Sequence, residues 1–297
     1  MTTQSTLKRQ EHIAGYLFIL PNLIGVLVFV VLPVIAGLVL SFTRWDLLTP
    51  PVWINIDNYK QLLHDPLFWV GLKNSAYYSL LTVPAGIVVS LLLALLVNIP
   101  LKGINIFRTI YFIPVVTSIT AISLVWKWLY NPEFGILNFI LEKFGLPPQQ
   151  WLNDVHLAMP CIALMSIWRS MGYNMVIFLA GIKAIPTQLY EASRIDGANR
   201  FQMLWHITLP LLKPTLFFVL VMSIIGSLQV FGEIYVMTNG GPGNATLTYN
   251  YFLYQNAFLW FKMGYAASLG YVLFLIIFVL TIIQFKFLGA RISYEVF

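Results

Sequence analysis

The feature that most constrains this chain is a series of long runs without Asp, Glu, Lys or Arg, at 13–43, 74–101, 109–126, 214–232 and 263–285. About 20 apolar residues let a helix cross the hydrocarbon core of a bilayer, so each run is a candidate span. The stretch 157–182 is interrupted only by Arg169 and counts as a sixth. The uncharged stretch 234–261 does not add a seventh, because TNGGPGNAT at 238–246 is turn chemistry that a lipid-exposed helix cannot accommodate. The expected fold is an all-α polytopic membrane protein with six transmembrane helices. Composition agrees: 59% hydrophobic residues, 9% charged residues and a mean hydropathy of +0.80 exceed what a water-soluble domain hides in its core.

An even number of spans puts both termini on one side, and basic residues choose the side. Lys8, Arg9, Lys102, Arg108, Lys183, Arg194, Arg200, Lys213, Lys286 and Arg291 fall with the termini, against Glu11, Glu191, Asp196 and Glu295. Opposite them, Arg44, Lys60, Lys73, Lys127, Lys143 and Lys262 are balanced by Asp46, Asp57, Asp65, Glu133, Glu142 and Asp154. Both termini are therefore expected in the cytoplasm, with segments 1–12 and 288–297 flanking a six-span membrane domain at 13–287. The basic pI near 9.3 reflects this asymmetry, and no compact basic face suggests nucleic acid.

Several features take ordinary readings. The first span follows Lys8 and Arg9 as a signal peptide would, but its length and the lack of a small-residue cleavage site predict a retained anchor. Pro21 and Pro33 should bend it. Cys161 is a small apolar packing residue, and His12, His64, His156 and His206 lie too far apart in sequence to suggest a ligand set. Trp126, Trp128 and Tyr130 read as an interfacial aromatic belt rather than a ligand platform. Gly86, Ser90 and Ala94, spaced by four, suit close helix packing.

The loop 183–213 is different. EASRIDGANRFQMLWHITLP at 191–210 opens with four charges in ten residues. Leu189, Ala192, Ile195, Ala198, Phe201, Leu204 and Ile207 recur every third residue, close enough to helical period to form an apolar stripe. Pro186 and Thr187 suit a helix start, Gly197 permits a bent backbone, and Pro210 and Pro214 should stop the second piece before the fifth span. Two short amphipathic helices joined at Gly197, exposed to the cytosol, are expected.

These residues resemble the inner-membrane permease subunits of binding-protein-dependent ATP-binding cassette importers. Their signature is Glu-Ala-Ala, a Gly six residues after the Glu, then Ile-x-Leu-Pro; Glu191, Ala192, Gly197, Ile207, Leu209 and Pro210 match, with Ser193 replacing the third Ala. FRTIYFIPVVTS (107–118), WKWLYNPEFGILN (126–138), FLAGIKAIPTQLYEASRIDGA (178–198) and VFGEIYVMTNGGPGNAT (230–246) extend the likeness to sugar-importer permeases of the maltose and glycerol-phosphate type. The resemblance implies a type I importer fold, a second homologous permease, two ATPase subunits and an extracytoplasmic solute-binding protein. It also implies that the helix near Glu191 is a coupling helix seated in a cleft of an ATPase subunit, with Glu191, Ala192, Ser193, Asp196, Gly197 and Phe201 as the contact set.

The chain needs an energy source and carries no phosphate-binding loop, since no Gly-Lys dipeptide occurs anywhere. It is expected not to be an enzyme, with ATP and Mg held by the partner ATPase and no cofactor of its own. For the solute path, charges inside spans stand out, because each costs roughly 3 kcal/mol or more in hydrocarbon unless paired or hydrated. Arg169, with Trp168, Tyr173 and Asn174, and Glu233, with Ser223, Ser227, Gln229 and Tyr235, offer aromatic faces beside directional polar groups, as a neutral polyol or sugar requires. A structural ion pair is the alternative for Arg169 and Glu233. An ion-coupled secondary transporter is the alternative function, but it needs more titratable groups along the path and often an inverted repeat. A membrane enzyme would need a catalytic constellation near one interface, and none is visible.

Overall fold

The computed structural model describes residues 2–99 and 102–288. Apart from Leu288, the expected C-terminal segment 288–297, with Arg291 and Glu295, lies outside the described residues. Those described form two compact units, with divisions at His64/Asp65, Phe252/Leu253 and Val272/Leu273.

In the unit that begins the chain, helix Thr2–Val26 continues through a π-helical turn, Leu27–Val31, into helix Leu32–Ser41. Pro21 stays inside the first helix. At Pro33 the chain widens instead of breaking: the N–H of Leu32 reaches back five residues to the Leu27 carbonyl, which absorbs the bond that proline cannot make. Thr43–Arg44 pairs antiparallel with Val52–Trp53, a two-stranded exception to the all-helical expectation. Asn58, buried in helix Asp57–His64, ties the unit together by donating at 2.8 Å to the carbonyls of both Ser41 and Thr43.

The larger unit carries the site. Its first helix is Pro66–Val97, eight residues longer at its start than the charge-free run suggested. Asp65 sets that start by accepting from the Leu67 N–H at 2.9 Å, with Pro66 in the first turn, and Lys73 is tolerated because it lies on the exposed side of the helix. The third expected span is not one helix. Ile104–Val116 and Ile119–Leu129 meet at Thr117–Ser118 with a 99° bend. The fourth, Ala158–Lys183, lies where the sequence placed it; Asp154 accepts from the N–H groups of His156 and Leu157 just before it, and those donors hold its carboxyl below the usual carboxylate range.

The fifth expected span, 214–232, is a helix only over Lys213–Leu228, about 24 Å at 1.5 Å per residue. A 64° bend joins it to the preceding Arg200–Leu211 segment. Beyond Gln229 the chain breaks and restarts as the short helix Gly232–Met237. The sixth is Met263–Phe287, whose first ten residues belong to the other unit. Among the described residues four helices are long and apolar enough to cross a membrane, and six spans result if each bent pair counts as one.

Near the Lys183 end, Ala94, Val97, Met175, Phe178, Leu179, Ile182, Leu212 and Val219 form one buried cluster joining the second, fourth and fifth spans. In lipid, close fit rather than water exclusion holds such helices together. The small Ser90 and Ala94 are fully buried, as expected for packing residues. Tyr130 departs from the aromatic-belt reading: it is buried, its hydroxyl donates to the Cys161 carbonyl at 3.1 Å, and Trp126 and Trp151 lie against its ring.

Candidate functional site

A cavity of about 460 Å³ opens between the second, fourth and fifth spans and the short helix Gly232–Met237. Helical period explains its walls. Ser166, Arg169, Ser170, Tyr173 and Asn174 recur at three and four residues on the fourth span, Tyr78, Thr82 and Gly86 recur at four on the second, and Ser223, Gly226 and Ser227 share one face of the fifth. Gly86 and Gly226 widen the space, since a Cβ built on either meets nothing within 4 Å. Gly86 thus lines the cavity, where the packing stripe had placed it in a helix contact.

Seven of the nine sequence-predicted path residues meet here: Arg169, Tyr173, Asn174, Ser223, Ser227, Gln229 and Glu233. Glu233 reaches the cavity from the first turn of the short helix, not from the fifth span. Arg169 Nη1 donates to Glu233 Oε1 at 3.4 Å, so the ion-pair alternative is realised inside the cavity. The contact is single and long, not a bidentate fork, and the Glu233 side chain is the more buried partner. Ser227 is spent on structure, its hydroxyl donating to Ser79 Oγ at 2.8 Å.

Trp168 and Tyr235 do not line the cavity. Trp168 falls off the Ser166–Arg169–Tyr173 stripe and lies 5.6 Å from Trp126, ring to ring. Tyr235 stacks on Phe231 at 5.5 Å, and it is Phe231 that borders the cavity. Tyr78, Thr82, Ser166, Ser170 and Phe231 are lining residues that the search for intramembrane charges missed. The four-residue spacing of Tyr78, Thr82 and Gly86 was the signal that could have found the second span's contribution.

The loop 183–213 folds as two helices, Thr187–Ile195 and then Arg200–Met203, with Gly197 between them at φ +82°. That left-handed backbone is the conformation for which glycine is suited. Pro186 occupies the cap position of the first helix and Thr187 its first turn, so Thr187 does not cap it. Asn199 and Gln202 form a reciprocal capping box on the second. Pro210 does not stop this helix; a π turn, Leu204–Thr208, absorbs it as Leu27–Val31 absorbs Pro33, and the break comes at Leu212.

The loop presents an uncovered apolar surface. Ile195 is 87% and Phe201 68% exposed, with Trp205 edge-on to Phe201. Glu191, Ala192, Asp196 and Gly197 are exposed beside them, and Ser193, half-buried, turns its hydroxyl to the Tyr190 carbonyl. Ser193, Asp196 and Gly197 also border a second hollow of about 330 Å³ with His206 and Ile207.

The sequence profile of the family described as binding-protein-dependent transport system inner membrane components matches residues 83–294. The arabinooligosaccharides transport system permease protein AraP of Bacillus subtilis (strain 168) is 40% identical over 281 residues, covering 93% of this chain and 89% of that protein. The lactose transport system permease protein LacF of Rhizobium radiobacter is 35% identical over 291 residues, covering 96% and 97%. A crystal structure of a bacterial ABC transporter involved in import of the acidic polysaccharide alginate superposes with a TM-score of 0.85 at 26% identity, covering 99% of this chain and 100% of that one.

Proposed function

The chain belongs to the family of binding-protein-dependent transport system inner membrane components, and from that premise we propose that it is one permease subunit of an ATP-driven importer for a carbohydrate or related polyol. The observation that carries the proposal is the cavity between three spans. Its walls combine the ring faces of Tyr173 and Phe231 with Asn174, Gln229, Ser170 and the Arg169–Glu233 pair, the mixture of apolar face and directional polar group that a sugar ring needs. The relatives named for arabinooligosaccharides and lactose support the same class of solute.

Energy comes from outside the chain. Two ATPase subunits hold ATP and Mg, one of them receiving the loop 183–213, whose exposed Ile195 and Phe201 fill a cleft while Glu191 and Asp196 contact its rim. A second, homologous permease completes the path, and a solute-binding protein delivers the cargo on the side opposite this loop. Both termini and the loop face the cytoplasm. An ion-coupled mechanism is disfavoured, because the two charges that border the cavity among the described residues neutralise each other.

Purification of the tagged chain from its host membrane tests this directly. The expected outcome is co-purification of a second permease and an ATPase, with ATP-dependent sugar uptake after reconstitution with the binding protein. A chain that purifies alone and moves solute down an ion gradient would overturn the reading.

A further inference from the structure

We propose that the Arg169–Glu233 pair sets the charge selectivity of the cavity, holding it at zero net charge so that it passes uncharged polyhydroxylated solutes and offers anionic ones no counter-charge. The inference rests on the cavity being the solute path. Among the described residues, Arg169 and Glu233 are the only Asp, Glu, Lys or Arg residues bordering it. They lie on different elements, the fourth span and the short helix Gly232–Met237, and face each other at 3.4 Å.

The consequence follows from the cost of charge in a poorly hydrated space. A carboxylate or sulfonate entering the cavity meets a guanidinium already engaged by Glu233, so it must compete with that carboxylate or stay unpaired, and either is unfavourable. A hydroxyl-rich neutral solute meets no such barrier, because Asn174, Gln229 and Ser170 can exchange hydrogen bonds with it without net charge. Glu233, not Arg169, is therefore the residue that excludes anions. Removing it would leave a bare cation in the cavity and invert the preference.

Thiosulfonate reagents of matched size and different charge, used as small polar solutes, test this without knowledge of the natural cargo. Ser223→Cys places a single thiol in the cavity wall in a Cys161→Ala background of the full-length chain, purified in detergent with the subunits that accompany it. Rates for an anionic and a cationic reagent are each normalised to a neutral one. With the pair intact, the anionic-to-cationic ratio should stay within about threefold of that for a free thiol in solution, because opposite charges at close range cancel. Glu233→Gln should raise the ratio by roughly tenfold, Arg169→Gln should lower it by a similar factor, and the double variant should return it to the starting value. If one single variant does not fold, the other and the double still close the comparison. A ratio that ignores all three substitutions, or a thiol that reacts with none of the reagents, overturns the proposal. Absence of ATP-driven uptake once the same preparation is reconstituted into vesicles with the binding protein would instead count against the importer reading and leave the reactivity result standing.

Discussion

Gly172 lies so close against Tyr111 that a Cβ on Gly172 would overlap the Tyr111 carbonyl oxygen and stand 2.7 Å from the carbonyl carbon and 3.1 Å from Phe112 Cα. The fourth span and the first half of the broken third thus touch backbone to backbone, with no side chain between them to yield. Gly172→Ala should cost about 1 to 3 kcal/mol or more by forcing the two helices apart. Gly86→Ala, whose Cβ meets open space, should be neutral or slightly stabilising, since alanine is favoured over glycine by up to about 1 kcal/mol in a helix interior. Thermal unfolding in detergent would compare them, and equal midpoints would contradict the close contact.

Gly226 offers the complementary test of the cavity itself. Gly226→Leu adds to the cavity wall a side chain whose Cβ would meet nothing within 4 Å, in a helix that gains propensity from the change. Folded stability should be kept or raised while solute uptake falls strongly. Unimpaired uptake would mean that the solute travels elsewhere.

Gly197 separates backbone from side-chain effects in the loop. At φ +82° an ordinary residue is strained by roughly 1 to 2 kcal/mol, asparagine less than most. Proline cannot adopt the angle at all, and it also removes the N–H that donates to the Arg194 carbonyl at 3.1 Å. Gly197→Pro should abolish ATPase attachment or transport-linked hydrolysis with membrane insertion intact, and Gly197→Asn should retain most of it. Wild-type transport by the proline variant would remove the loop from the coupling role.

Orientation can be read by cysteine labelling in a Cys161→Ala background. Gln61, Gln150 and Gln188 are all exposed. In intact spheroplasts an impermeant thiol reagent should modify Gln61→Cys and Gln150→Cys but not Gln188→Cys, as the asymmetry of basic residues requires. Protection of the first two with labelling of the third would invert the topology.

The amino-acid sequence determined what local chemistry can determine. Runs without charge marked the apolar segments because no lipid-exposed charge is cheap, and the spacing from Glu191 to Pro210 marked the two-helix loop because Gly197 and the surrounding period are local properties. Arg169 and Glu233 stood out for the same reason. Tertiary structure decided the rest. A charge-free run has no marker for a 99° bend at Thr117–Ser118 or for the end of the fifth span at Leu228, since backbone direction there depends on what packs against it. Trp168 is one residue from Arg169 in sequence, but about 100° around the helix, and so faces Trp126 instead of the cavity. That Arg169 and Glu233 meet at all, 64 residues apart, follows from a helix break and a short helix laid beside the fourth span, and only folding brings such distant positions together.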